Sequence, residues 1–295
     1  PKPYLEINAK VSSDIVTTGI METVVTQNGN LEVGTLSSNA SLSNSGTITA
    51  TNAFTATEYI NSTSDIVKIK EVTTLSIENG TISTLNVEKT DDKNDFATIS
   101  TTGTLIISSA TYNNADIQTS GNITLANTID SDTIGNLTIE SGTLTIENLN
   151  VGNLTNKANF SSSTVNITGN LTDDSGTSFA GTINFVGNGE QTFTPNTSTT
   201  YGDISINEKA KLQTNNGIEI HATSFEVKEG AELILNNATV TTSENSTYRG
   251  LSGTGFTISA AESKIITIDQ VTVETTGNQN YFASVKLTNE TTFKS

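Results

Sequence analysis

Gly181–Leu235 reads GTINFVGNGEQTFTPNTSTTYGDISINEKAKLQTNNGIEIHATSFEVKEGAELIL. Ile183 and Phe185 are apolar with one polar residue between them. Adding 21 gives Ile204 and Ile206, and adding 21 again gives Phe225 and Val227. The register is looser at later positions. Gly189, Ala210 and Ala231 are all small, while Leu212 and Leu233 agree with each other but not with Gln191. A fixed period near 20 residues is the sequence signature of a solenoid, in which each coil buries its apolar side only by stacking on the next.

Composition agrees with that reading. The 295 residues are only 33% hydrophobic and 5% aromatic, with no tryptophan. Such a polar chain is either disordered or a β-structure with a thin core and polar turns. Here Ile, Leu and Val recur in alternating pairs, the pattern of strands. A net charge of −17 excludes the clustered Lys and Arg that a nucleic-acid backbone requires. No apolar run reaches the ~18 residues of a membrane-spanning helix, so no nucleic acid and no membrane insertion by this segment are expected. The absence of cysteine excludes disulfides and thiolate sites.

Working outward, the apolar pairs run Leu31/Val33, Ile48/Ala50, Val67/Ile69, Leu85/Val87, Leu105/Ile107, Ile123/Leu125, Leu144/Ile146 and Val165/Ile167 into the quoted stretch. Their spacing averages 19.4 residues and ranges from 17 to 21. Glycines at 29, 46, 103, 121, 142 and 181 stand just before several pairs, where a residue free of Cβ turns the chain. A second strand follows about eight residues later, as in Leu75/Ile77 and Leu233/Leu235. The expected fold is all-β: a parallel β-helix (β-solenoid) with ~19–21-residue coils. Residues 1–27 have no clear phase and are assigned to an N-terminal cap or transitional strands. Residues 28–242 form the solenoid, and 243–295 are irregular C-terminal coils or a cap.

Gly135-Asn136-Leu137-Thr138-Ile139 and Gly142-Thr143-Leu144-Thr145-Ile146 resemble the Gly-x-Leu-x-Ile repeats of filamentous-haemagglutinin-like adhesins and autotransporter passengers. The likeness covers roughly residues 28–240. It implies a right-handed β-helix, exported and displayed at the bacterial cell surface, that binds host, matrix or cell-surface ligands or copies of itself.

Chemistry is sparse. Ile218 and Ile220 alternate as an inward pair, which turns Glu219 and the sole histidine, His221, to solvent. Nothing marks a nucleophile elbow. Asp95, Asp116 and Asp132 lie ten, eleven and nine residues after Leu85, Leu105 and Ile123, so they fall near one line along the coils. A carboxylate row could serve glycoside hydrolysis or bind calcium. Turns favour aspartate in any case, so no catalytic residue and no cofactor are assigned; the three aspartates are retained as metal candidates, with calcium as the ion. The expected function is a non-catalytic extracellular structural or adhesive β-solenoid. A self-assembling surface fibre or surface-layer subunit is the first alternative, and a polysaccharide-active β-helix enzyme the second.

Overall fold

The computed structural model describes residues 4–19, 21–61, 64–91, 95–128, 132–270, 272–288 and 290–294. Among them there are strands and turns but no helix, and hence none long and apolar enough to cross a membrane. The strands pair in parallel with their equivalents in the next coil, which makes a β-solenoid with turns of roughly 20 residues. The chain divides into two compact units, Pro1–Glu147 and Asn148–Ser295.

Each coil alternates apolar and polar residues, so every strand sends one set of side chains inward. In the first unit one inward row stacks Leu31 on Ile48, Val67 and Leu85. A second row runs Leu36, Phe54, Leu75 and Ile99. A third runs Leu42, Tyr59, Gly80, Leu105, Ile123 and Leu144. In the second unit the longest row is Leu149, Val165, Ile183, Ile204, Phe225, Ser246, Ile266 and Val285. The 21-residue register of the opening stretch is therefore real. It extends to Gln191–Leu212–Leu233 on a neighbouring face.

Every apolar pair named from the sequence is buried, but the pairs do not form one row. Leu85 takes Ala110 as its next partner, whereas Leu105 stacks on Gly80 and so belongs to another face. Val165 stacks on Leu149, sixteen residues earlier, and Leu144 on Ile123. An inward pair has the same alternation on every face of a coil, so spacing alone cannot separate them. Parallel pairing also crosses the expected boundaries near residues 27 and 242. Thr23–Val25 pairs with Leu42–Asn44, and Ser246–Tyr248 continues the row of Phe225–Val227.

The turn glycines divide into two kinds. Gly121, Gly142 and Gly181 have φ of +96°, +80° and +98°, a backbone that side chains rarely adopt. Gly46 has no such angle, but a Cβ there would overlap the carbonyl oxygens of Thr26 and Gly29 in the coil beneath. Close stacking, rather than a special dihedral, requires glycine at that corner.

Candidate functional site

The three candidate aspartates all lie at turns of the first unit, and each is engaged with backbone or side chains of its surroundings. Asp132 is 8% exposed and accepts hydrogen bonds from the backbone N–H groups of Tyr112 (2.8 Å) and Asn113 (2.9 Å). Asn113 and Asn114 both have positive φ, so the carboxylate braces a turn of unusual backbone. Asp116 accepts from the Asn136 backbone N–H and from its side-chain amide, both at 2.7 Å, one coil further on. Asp95 lies 3.0 Å from the Thr90 hydroxyl.

The carboxylate that organises this corner, Glu71, was not singled out by spacing. It is 1% exposed and accepts from the Thr90 N–H (2.6 Å), the Thr90 hydroxyl (2.9 Å) and the Asp116 N–H (2.7 Å), with the Lys89 ammonium 3.6 Å away. Burial alone would raise its pKa. The backbone hydrogen bonds from Asp116 and Thr90, with help from Lys89, outweigh burial and hold it below the ordinary carboxylate value. The Thr90 hydroxyl has one proton and two carboxylates in reach, Glu71 and Asp95, so it can donate to only one of them. Among the described residues no group of three or more His, Asp or Glu is placed to hold a metal ion.

Two further buried carboxylates repeat one motif. Asp65 accepts the Tyr59 hydroxyl at 2.7 Å, and that hydroxyl accepts the Asn44 amide at 2.9 Å. Asp173, in the second unit, accepts the Tyr201 hydroxyl (2.7 Å), the Asn156 amide (3.0 Å) and the Ser175 hydroxyl (2.7 Å). In both, burial pushes the tyrosine pKa well above 10 and the neighbouring aspartate adds to it, so the phenol stays a proton donor. Gln191, the apolar-position exception in the quoted stretch, donates to the Ile167 and Gly169 carbonyls (2.9 and 2.7 Å) and accepts from the Gly187 N–H (3.1 Å). These groups tie loops to the stack. His221 is partly exposed, with Glu219 3.7 Å away on the same strand face.

Outer side chains also stack in register. Asn166 donates to Asn150 (2.8 Å) and Asn184 to Asn166 (2.9 Å), a ladder of amides rising one coil at a time. Lys211 stands between Glu190 and Glu232, and Arg249 between Glu226 and Asp269. A cavity of about 630 Å³ opens beside Tyr281, Val285, Leu287 and Phe293, whose strands pair with the preceding coil at Ile258, Ile266, Ile268 and Val273. No family model matches the chain, and no curated protein or solved structure matches it either.

Proposed function

We propose that the chain is a non-catalytic structural and adhesive β-solenoid, a stalk or passenger segment displayed at a bacterial cell surface. The observation that carries this reading is where the polar groups go. The candidate carboxylates bond to turns, and the outer polar rows bond to one another from coil to coil. That favours a chain whose work is stiffness and the display of a long polar face over one that converges side chains on a reacting bond. The Gly-x-Leu-x-Ile likeness to surface adhesins supports the location. Whole-cell binding with the purified chain tests it: retention on cells or matrix is expected, and no retention on any cell type or matrix would reject the adhesive part.

A self-assembling fibre or surface-layer subunit is the second reading. It is favoured by the exposed Phe282, Val285, Leu287 and Phe293 of the second unit, since unpaired strands with apolar side chains invite pairing. Electron microscopy of concentrated protein is the check, and particles that remain single would count against assembly.

A further inference from the structure

We propose that the first unit binds a linear, acidic oligosaccharide in a trough on its outer face, with Lys68 and Lys70 as the groups that hold its carboxylate or sulfate. The inference deepens the adhesive reading and rests on it for where such a ligand is met. Two adjoining grooves of about 580 and 400 Å³ share Thr49 and Lys70, so together they run across several successive coils. In register, one outward row is Thr49, Lys68, Asn86 and Thr111, which sets a hydroxyl, an ammonium, an amide and a second hydroxyl on consecutive coils.

The charges single this place out. Lys10, Lys89, Lys211, Arg249 and Lys264 each have a carboxylate as ion-pair partner. Lys68 and Lys70 are both exposed and two residues apart on one strand, hence on one side of it. Neither has an ion pair within 4 Å among the described residues, in a chain with 31 acidic side chains. Two ammonium groups side by side repel each other, and an anion between them relieves that repulsion. Glu88 is opposite Lys70 on the next strand, which leaves a local charge near +1 and suits a ligand with widely spaced acidic groups. The chain's remaining acids do not forbid this, because charges beyond ~8 Å are screened at physiological salt.

The lining also decides the class. Protein interfaces are anchored by buried aromatic or arginine side chains, and single-stranded nucleic acid needs stacking aromatics along a basic groove. This trough has neither. Hydroxyl and amide groups, which both donate and accept, match a polyhydroxylated chain.

Titration calorimetry of the full chain tests the assignment with three probes: oligogalacturonate, dextran sulfate and neutral dextran. At least one acidic probe is expected to bind, and which one tells carboxylate from sulfate; neutral dextran is expected to bind more weakly. Lys68→Gln and Lys70→Gln should each weaken binding about two- to fivefold, the range of an exposed charge contact, and Lys68→Arg should restore it. Circular dichroism checks that the variants remain folded. The assignment is overturned if neither acidic probe binds, if neutral dextran binds equally well, or if K68Q/K70Q binds like the wild type. Loss of whole-cell retention with oligosaccharide binding intact would count against the adhesive reading alone.

Discussion

The two units share one architecture and fill it differently. The first is lined mainly by Ile, Leu and Val, with Phe54, Tyr59 and Tyr112 as its buried aromatics. The second stacks Phe160, Phe179, Tyr201, Phe193 and Phe185 in a chain of ring contacts with centroids 5.0 to 6.0 Å apart. The first unit also buries three carboxylates, Asp65, Glu71 and Asp132, against one, Asp173, in the second. Coil length runs with this contrast. Leu31 to Ile48 is 17 residues and Ile48 to Val67 is 19, whereas Ile183, Ile204 and Phe225 keep steps of 21. Where turns vary in length, a buried acid gathers the loose N–H groups; where coils repeat, large rings stack on one another. The lesson is that a solenoid needs matched rows, and either apolar rings or polar ties can supply the match.

The contrast can be broken most forcefully at Phe193, whose ring meets both Phe185 and Tyr201. Phe193→Ala should cost about 4 kcal/mol, read as lost hydrogen-exchange protection in the strands Glu190–Thr194 and Lys211–Thr214. Full protection there would mean that the rings do not hold the coils. Next comes Gly142→Ala in the first unit, where φ is +80° and a Cβ would overlap Gly121 of the coil beneath. We expect a loss of about 3 kcal/mol in urea titration. Gly217→Ala in the second unit, with similar φ but open space around it, should lose only about 1 kcal/mol. Equal losses would show that stacking distance is not the constraint.

Tyrosine hydroxyls separate ties from fillers. Tyr201→Phe removes a donor to Asp173 and orphans the Asn196 N–H, which bonds the phenol at 2.9 Å; a cost of about 2 kcal/mol follows. Glu71→Gln should cost about 1.5 kcal/mol, and it also carries a pH signature. Glu71 has its folded pKa below the ordinary value of 4.5. Its contribution is therefore present above pH 4.5 and is lost as pH falls through the folded pKa. The wild type should lose stability on acidification more steeply than the variant, and parallel curves would refute the role given to Glu71. Tyr248→Phe should be the mildest change, within about 0.5 kcal/mol of wild type, because its buried hydroxyl has no hydrogen-bond partner.

Much of this was legible before any coordinates. The inward positions from Leu31 to Val227 are all buried as the alternation implies, because a two-residue period can mean only one thing in a strand. His221 and its neighbour Glu219 face outward for the same reason. Which face each pair lines was not legible, as Leu105 and Val165 demonstrate. Asp95, Asp116 and Asp132 were found by their offsets, yet Glu71 had no offset to betray it. Its role depends on Thr90 and on Asp116, 45 residues further along the chain. The lysine trough was likewise invisible, since Thr49, Lys68, Asn86 and Thr111 become neighbours only when four coils stack.

By itself, then, the chain's alternation and its period near 20 determined a parallel β-solenoid and its inward residues, because both follow from local strand geometry repeated at a regular interval. Only the tertiary structure decided which rows align, which acids are buried as ties and which cations stand unpaired. Those depend on where each corner falls, and a shift of two or three residues at a turn moves every later side chain to a new neighbour.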